Sequence, residues 1–327
     1  MGEFDFIDTF FRWPTLGKWK SSGIGDDCAI VTLGKRDLVL TKDVRSITTH
    51  FLADVSPYTC GYKALAVNLS DLAAAGAEPR GFLLGLSTPH QDPVWFQSFV
   101  QGMRELAQVY QCDLLGGDTT GSPWVENTRA PLTISITALG VVPHGQAMRR
   151  VGARVGDDVW VSGTVGDAYT ALQARWGVWP MDPDCVRELA IRMDQPRPRV
   201  HLGQALRAYA HACADISDGL WQDLGHILRR SHVGVRVLKD AVPRSMIVAS
   251  LPQEWQEKAI GGGDDYELVW TAAPENRRAI LALGETLGVR VSRIGQITPR
   301  NEGRVLRDAS GKILCYPQQG FDHFRAE

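Results

Sequence analysis

The sequence predicts an α/β fold of the α+β type, with two mixed α/β domains. The chain has 327 residues, which is more than one ordinary hydrophobic core organises. Apolar residues at helical spacing alternate with short apolar runs bounded by glycine, proline and aspartate, and such runs are typical of strands. The Pro143-His144 turn separates the two halves, so we predict domains over residues 1–144 and 145–327.

The first half is predicted to contain strands packed against two helices. Apolar residues recur at helical spacing over 62–73, and glycine and proline end that helix shortly afterwards. A second helix is expected over 92–110, because Asp92 can serve as its N-cap and Pro93 suits the first helical position. The predicted strands cover 38–40, 83–86 and 132–142.

The second half is predicted to alternate between strands and helices. An alanine-rich helix follows the glycine-rich turn at 163–167, and the stretch 176–199 is predicted to be irregular because it is rich in proline and aspartate. Further helices are expected over 200–211, 219–231 and 274–287. The predicted strands cover 159–161, 233–238, 267–272 and 289–295.

The composition excludes several classes of protein. A net charge of −2 offers no basic surface, so we expect no nucleic-acid partner. No apolar run approaches the roughly 18 residues needed to span a bilayer, and no leader sequence is evident. The six cysteines are widely scattered, which is typical of buried thiols in a reducing compartment. We therefore expect a cytoplasmic protein that does not bind membranes.

Five short acidic turns next to glycine indicate the chemistry. They are Gly25-Asp26-Asp27, Gly116-Gly117-Asp118, Gly156-Asp157-Asp158, the 215–219 segment and Gly263-Asp264-Asp265. Glycine permits close approach of the backbone, and Mg²⁺ prefers carboxylate oxygens together with substrate phosphates. The first hypothesis is therefore Mg²⁺-dependent phosphate chemistry.

Some of these carboxylates have a simpler explanation, because aspartate commonly bonds nearby backbone N–H groups in turns. We assign that structural role to Asp157 and Asp158, and Asp26 and Asp265 are open to it. Asp223 is expected to be a surface or capping residue. Capping does not explain the larger set beside glycine or small residues, which comprises Asp27, Asp43, Asp71, Asp118 and Asp215. His50 lies near these residues and, taken alone, fits a structural role better than a catalytic one.

Familiar nucleotide-binding signatures are absent from the sequence, including the P-loop and the dinucleotide fingerprint. Taken together and in this order, however, five segments resemble motifs of the thiamine-monophosphate kinases. These segments are 23–29, 62–74, 116–120, 215–220 and 262–268. The resemblance extends from Gly2 to Phe324 and implies an aminoimidazole-ribonucleotide-synthetase-like architecture. It also implies ATP and thiamine monophosphate as substrates, Mg²⁺ as cofactor, and a homodimer formed through the N-terminal, metal- and nucleotide-binding domain.

The same resemblance implies a role for each matching residue. The metal-site positions are Asp27, Thr41, Lys42, Asp43, Asp71, Asp118, Asp215 and Asp218, of which Asp43, Asp71 and Asp118 serve catalysis directly. The ATP contacts are Gly117, Arg150, Ser217 and Tyr110. The acceptor pocket is formed by His50, Asp264 and Phe321.

Two positions depart from the family pattern. Lys42 occupies a position that is usually a small hydroxyl residue, so its metal contact is either lost or made by the backbone carbonyl. Asp264 replaces the common glutamate, which shortens the carboxylate's reach by one methylene.

Phosphoryl transfer to a phosphate monoester fits the residues and substrates that the resemblance implies. The acceptor is already anionic at neutral pH and needs no general base. Two alternatives remain open: another ATP-dependent enzyme of the same superfamily, and a non-catalytic nucleotide-binding scaffold. A related selenophosphate synthase is expected to carry a reactive cysteine or selenocysteine near the N-terminus, yet none precedes Cys28.

Overall fold

The computed structural model describes residues 2–11 and 24–314. In this part of the chain, the first half forms a five-stranded sheet whose strands follow the order β1-β2-β7-β3-β4. Neighbouring strands are antiparallel except for the parallel pair β3 and β4. In chain order the elements are α1 (Glu3–Phe10), β1 (Ala29–Leu33), β2 (Arg36–Ser46), α2 (Pro57–Ala74), β3 (Glu78–Thr88), α3 (Pro93–Val109), β4 (Asp113–Gly121), β5 (Trp124–Val125), β6 (Thr128–Arg129) and β7 (Thr133–Pro143).

The second half forms a seven-stranded sheet with the order β14-β13-β10-β12-β8-β11-β9. In chain order its elements are β8 (Asp158–Ser162), α4 (Asp167–Arg175), α5 (Pro183–Asp194), α6 (Val200–Leu206), β9 (Ala210–Asp215), α7 (Leu220–Ser231), β10 (Gly234–Leu238), α8 (Met246–Ser250), α9 (Gln253–Gly261), β11 (Leu268–Ala272), α10 (Arg277–Leu287), β12 (Val291–Thr298), β13 (Arg304–Arg307) and β14 (Ile313–Leu314). Two sheets with helices between and around them confirm the predicted fold class. The predicted domain ranges stay a prediction.

Helix α2 lies between the two halves and is almost entirely buried. It packs on β2 and β7 of the first sheet, and on α6 and β9 of the second half. Its N-cap is Ser56, whose hydroxyl accepts a hydrogen bond from the Thr59 backbone N–H at 3.1 Å. A buried helix of this kind is apolar on most sides. Its polar side chains Lys63 and Asp71 lie at the junction of the two halves.

Strand β2 alternates between two faces of the first sheet, as half-buried strands do. Val39 and Thr41 are buried on the inner face, which α2 covers, and Asp43 follows them there. Lys42 and Val44 lie on the outer face and are exposed. This alternation decides which of the predicted site residues can meet.

Several predicted elements agree with the structure. Helix α3 begins at Pro93, and the Asp92 carboxylate caps it by accepting from the Val94 N–H at 2.9 Å. Four of the five described cysteines have buried thiols, as expected from the sequence. Cys185 is half-buried.

Three sequence-based expectations were wrong. The stretch 176–199 contains helix α5, for which Asp182 and Pro183 supply the same N-cap and first-turn signal as at α3. The predicted helix 200–211 ends at Leu206, and its last residues belong to β9. The predicted turn at 116–119 lies within β4. Of the two roles expected for Asp223, the structure confirms capping, because its buried carboxylate accepts from the Asp218 backbone N–H.

Candidate active site

Three carboxylates from separate elements converge at the junction of the two halves. Asp27 lies before β1, Asp71 in the last turn of α2 and Asp215 at the end of β9, and one oxygen of each lies within 4.8 Å of the others. Hydroxyl groups orient them. Thr41 Oγ1 donates to Asp71 Oδ2, and Ser70 Oγ donates to Asp215 Oδ2 at 2.7 Å. Sequence motifs far apart in the chain therefore build one acidic cluster.

The positive charge beside the acidic cluster does not balance the negative charge of its carboxylates. Burial, and then the charge of neighbouring carboxylates, raises the pKa of Asp71 well above its usual range and that of Asp215 to about 8. Burial also raises the pKa of Asp43, whose Oδ2 atom is buried without a hydrogen-bond partner among the described residues. An all-oxygen donor set with such an orphaned oxygen fits a hard cation such as Mg²⁺.

Arg150 is one cation that the structure places against this cluster. Its guanidinium pairs with Asp27, and its backbone N–H donates to Asp26 Oδ1 at 3.0 Å. Asp26 also accepts from Arg149 Nε at 3.0 Å, so Asp26 anchors the 149–150 segment. Asp27 is thus the member of its pair that faces the cluster, while Asp26 fixes the backbone.

Two loops complete the site. The backbone N–H of Asp264 donates to the Ser217 carbonyl at 2.7 Å, which holds the 262–266 loop against the 216–219 loop. Asp223 Oδ2 accepts from the backbone N–H groups of Asp218 and Gly219 at 3.0 and 3.1 Å. These bonds fix the direction in which Ser217 and Asp218 are presented.

The remaining aspartates of the acidic turns hold local structure, as expected for Asp157 and Asp158. Asp157 accepts from the Arg154 N–H at 2.9 Å, while Asp158 forms ion pairs with two arginines on neighbouring elements. Asp265 accepts from the Gly166 N–H at 3.0 Å. None of these bonds involves the acidic cluster.

A cleft of about 890 Å³ runs from the acidic cluster between the two halves. His50 lies on its wall, and its Nδ1 atom accepts from the Ser46 backbone N–H at 3.0 Å. Of the predicted site residues, those lining the cleft are Lys42, Asp43, His50, Asp71, Asp215, Ser217, Asp218 and Asp264. The cleft thus brings predicted metal, ATP and acceptor positions together.

Other predicted site residues lie elsewhere. Asp118 and Gly117 are exposed on β4, and the strand register places Asp118 in one row with Gly85, Ser135 and Val44 on the outer face of the sheet. In the single chain the sheet therefore separates Asp118 from the acidic cluster.

Of two further predicted site residues, one lies outside the cleft and the other outside the described residues. Tyr110 donates its hydroxyl hydrogen to the Pro198 carbonyl at 2.7 Å and packs near His201. Phe321 lies outside the described residues.

Lys42 directs its side chain away from the cluster. Its ammonium donates to Ser135 Oγ at 2.8 Å and to Thr137 Oγ1 at 3.4 Å on the outer face of β7. The Lys42 ammonium therefore makes no contact with the carboxylates of the cluster.

Substitution of Lys42 by Thr is therefore expected to leave the Mg²⁺ concentration for half-maximal activity unchanged within about twofold. The physical reason is that the sheet lies between the ammonium and the carboxylates. A Mg²⁺ titration of ADP formation would measure this concentration, and a clear rise in it would show that the ammonium reaches the cluster.

Several cleft residues were not predicted from the sequence. They include Arg45, Lys63 and Tyr266. A lysine at a buried position of an apolar helix is the signal that identifies Lys63, because a charged group is seldom buried without a partner. Arg45 follows Asp43 by two residues and so shares its face of β2.

The raised pKa values predict how the stability of the metal-free protein depends on pH. The pKa of Asp215 is about 8 in the folded chain and near 3.8 in an ordinary setting, so folding favours its protonated form. That contribution is fully present below pH 4 and is lost as the pH rises through about 8. The unfolding temperature in a chelator should therefore fall by about 2 °C or more between pH 6.5 and 9.

Thermal unfolding with and without Mg²⁺ checks this expectation. Asp215→Asn should make the pH dependence shallower, and Mg²⁺ should raise the unfolding temperature most at the alkaline end. A metal-free wild-type protein that becomes more stable over this pH range would contradict the assignment.

Comparison with known proteins identifies the class of protein that this fold and site define. The family models for AIR synthase related proteins match both halves, the N-terminal domain over residues 25–142 and the C-terminal domain over residues 154–308. Two sheets that meet at an acidic cleft are thus the two domains of this class.

Full-length relatives narrow the class to one family. The thiamine-monophosphate kinase of Escherichia coli K12 is 40% identical, with 99% of this chain and 98% of that protein covered. A crystal structure of the enzyme from Stenotrophomonas maltophilia is 41% identical, covers 89% of this chain and 91% of its own, and has a TM-score of 0.77. The chain belongs to the thiamine-monophosphate kinase family.

A second solved structure is AaThiL complexed with AMPPCP and TMP. It is 29% identical, with a TM-score of 0.80 over 99% of this chain and 97% of that one. In the part of the chain that the structure describes, no helix has the length and apolar character needed to cross a membrane.

Proposed function

We propose that this protein transfers the γ-phosphoryl group of ATP to thiamine monophosphate, giving thiamine diphosphate and ADP. The observation that carries the proposal is the cluster of the half-buried Asp27 and Asp71 with the buried Asp215, at one end of a cleft of about 890 Å³. A cleft of that size suits small-molecule substrates. The relatives share this activity by name, and AaThiL binds both an ATP analogue and TMP.

The reaction needs little covalent chemistry from the protein. A phosphate oxygen of thiamine monophosphate attacks the γ-phosphorus of ATP in line, and the bond from that phosphorus to the bridging oxygen of ADP breaks. The phosphate monoester has a second pKa of about 6, so it is largely dianionic at neutral pH and requires no general base. The obstacle is repulsion between two anions, and no phosphoenzyme is required.

Mg²⁺ is the proposed cofactor, with Asp27, Asp43, Asp71 and Asp215 as the residues that would hold it. When bound, it would neutralise polyphosphate charge and align the attacking and leaving oxygens. The chain's own residues prepare this site. Hydroxyl donors fix the directions of the carboxylates, and Arg150 offsets the charge of Asp27. We place Arg150 and Ser217 at the ATP side, and His50 and Asp264 at the acceptor side.

Acceptor choice tests the proposed function. With ATP and Mg²⁺, the purified protein is expected to release ADP with thiamine monophosphate but scarcely with free thiamine. A hydroxyl group has a pKa far above neutrality and needs a base, whereas the phosphate already presents an anionic oxygen. A coupled assay of ADP release with each acceptor gives the comparison.

The same assay separates the alternatives. No turnover with thiamine monophosphate would favour the non-catalytic nucleotide-binding scaffold or another reaction of the superfamily. Comparable turnover with free thiamine would contradict the phosphate-acceptor mechanism. Phe321→Ala should raise the KM for the acceptor more than the KM for ATP, because the family resemblance assigns that residue to the acceptor pocket.

We further propose a homodimer formed through the outer face of the first sheet. The support is that this face of the described chain exposes apolar side chains, among them Val44 and Leu83. Asp118 and Gly117 lie at its edge, so their proposed roles in metal and ATP binding belong with this assembly. The five described cysteines are free thiols, which supports a reducing, cytoplasmic location.

A further inference from the structure

Helix α7 contacts both of the segments that carry the proposed ATP contacts. Its first turn faces the 216–219 loop, where the Asp223 carboxylate accepts from two backbone N–H groups at 3.0 and 3.1 Å. Its last residue is Ser231, and its 12 residues give it a length of about 18 Å. At this far end the helix contacts the 149–154 segment, which carries Arg150.

The Ser231 hydroxyl is used entirely by the backbone of that segment. Its Oγ atom accepts from the N–H groups of Gly152 and Ala153, each at 3.1 Å, and donates to the Arg150 carbonyl at 3.3 Å. A serine hydroxyl has one hydrogen to donate and two lone pairs that accept, so these three bonds use its full capacity. One side chain thus fixes the backbone on both sides of Val151.

The segment is held from its other side as well. Asp26 Oδ1 accepts from the Arg150 backbone N–H at 3.0 Å. Gly152 has a φ of 131°, and a Cβ atom at this position would lie 2.2 Å from the His211 carbonyl oxygen. Glycine is therefore required for the segment to pass this close to β9. The backbone of Arg150 is held between Asp26 and Ser231.

The Arg150 side chain extends from this backbone along α7 to the acidic cluster. Its guanidinium pairs with Asp27. Burial, and then the charges of Arg150 and Arg229, lower the pKa of His226 to about 2, which agrees with a guanidinium beside the middle of the helix. The Arg150 Nε atom is buried and has no hydrogen-bond partner among the described residues, so it is available to a phosphate oxygen.

We propose that Ser231 is a positioning residue for ATP, because it fixes the backbone from which the Arg150 guanidinium reaches the phosphate groups. This inference rests on the proposed function, in which Arg150 lies at the ATP side. Ser231 itself is not among the residues that line the cleft. Loss of its hydroxyl would leave the N–H groups of Gly152 and Ala153 without their acceptor, and the segment would move to find new ones. A long side chain carries such a movement to its charged end.

Calorimetric titration with AMPPCP and Mg²⁺ tests the inference without turnover. Ser231→Ala should weaken AMPPCP binding about 5- to 20-fold, which is less than the loss of a whole charge-assisted hydrogen bond. Ser231→Thr keeps the hydroxyl and should bind within about twofold of the wild type. Ser231→Cys, whose thiol bonds weakly, should give an intermediate value and replaces the alanine variant if that variant is too unstable to titrate. In steady-state assays the KM for ATP should rise while the KM for thiamine monophosphate stays within about twofold.

A double-mutant cycle shows whether Ser231 acts through Arg150. Arg150→Met alone should weaken AMPPCP binding, and adding Ser231→Ala to it should change the affinity by no more than about twofold, because two residues that serve one interaction are not additive. The inference is overturned if Arg150→Met binds AMPPCP as the wild type does, if the two effects are fully additive, or if the alanine and cysteine variants bind normally.

Ser245→Ala is the matched control. The Ser245 hydroxyl also accepts from a backbone N–H, that of Val248 at 3.2 Å, but this cap lies at the start of α8 and outside the cleft. Its loss should lower the unfolding temperature and leave AMPPCP binding unchanged. Failure of the proposed function would differ, because the wild type would then bind AMPPCP without releasing ADP from ATP in the presence of thiamine monophosphate.

Discussion

Replacing Asp71 with Asn is expected to reduce the rate of ADP formation by about 100- to 1,000-fold. The substitution keeps the size of the side chain and removes one charge from the acidic cluster. A bound metal supplies several kcal/mol of stabilisation to the transition state, and each 1.4 kcal/mol corresponds to a factor of ten in rate. Loss of one carboxylate that would hold Mg²⁺ therefore has a large effect. Steady-state assays over a range of Mg²⁺ concentrations measure it.

The stability of the Asp71→Asn protein should not fall with its activity. Burial and the nearby charges of Asp215, Asp43 and Asp27 raise the pKa of Asp71, so a neutral amide relieves repulsion in the metal-free chain. We expect the unfolding temperature of the metal-free variant at pH 8 to equal or exceed that of the wild type. Normal activity in this variant at ordinary Mg²⁺ would refute the metal role.

Asp157→Asn is the control for Asp71→Asn, and we expect the opposite result from it. Asp157 follows a glycine in an acidic turn, and its carboxylate bonds the Arg154 backbone N–H and His211. Removal of its charge should cost about 1 kcal/mol of folding stability and leave turnover nearly unchanged. The pair of variants therefore separates a carboxylate that serves chemistry from one that holds a turn.

Local sequence signals were sufficient where the structure is decided locally. The capped start of α3 at Asp92 and Pro93 is such a case, because the cap and the first turn involve adjacent residues. The same signal at Asp182 and Pro183 was outweighed by the proline and aspartate content of the surrounding stretch, so α5 was missed. The end of α6 depends on packing against other elements, which local spacing does not report.

The same difference between local sequence signals and long-range packing applies to the active site. Sequence motifs identified Asp27, Asp71 and Asp215, which the fold brings together from three elements. The motifs did not reveal that Lys42 and Asp118 lie on the outer face, because that follows from the alternation of β2 and from strand register. Arg45 and Lys63 were missed because their importance depends on neighbours that are distant in sequence.

Substitution of Gly263 by Ala is the second change expected to have a large effect. A Cβ atom at this position would lie 2.2 Å from the Ser217 carbonyl oxygen and 3.0 Å from the Asp218 Cα atom. The 262–266 loop would have to move away from the 216–219 loop. Such overpacking typically costs about 1–3 kcal/mol of stability.

The larger consequence should be kinetic. Asp218 and Asp264 sit on the two loops that meet at Gly263, one at the proposed metal side and the other at the acceptor side. A displacement of about 1 Å between reacting groups can reduce the rate about 100-fold. We therefore expect Gly263→Ala to lose about 100-fold in kcat with thiamine monophosphate while remaining folded at 25 °C.

Gly288→Ala distinguishes this effect from a general loss of stability. Gly288 has a φ of 62° at the end of α10, and nothing lies within 4 Å of the position of an added Cβ atom. Alanine there should cost about 1 kcal/mol through backbone strain alone. Its kcat should match the wild type, because no loop of the cleft has to move. If Gly263→Ala retained wild-type kcat, the close approach of the two loops would not determine the alignment of metal and acceptor.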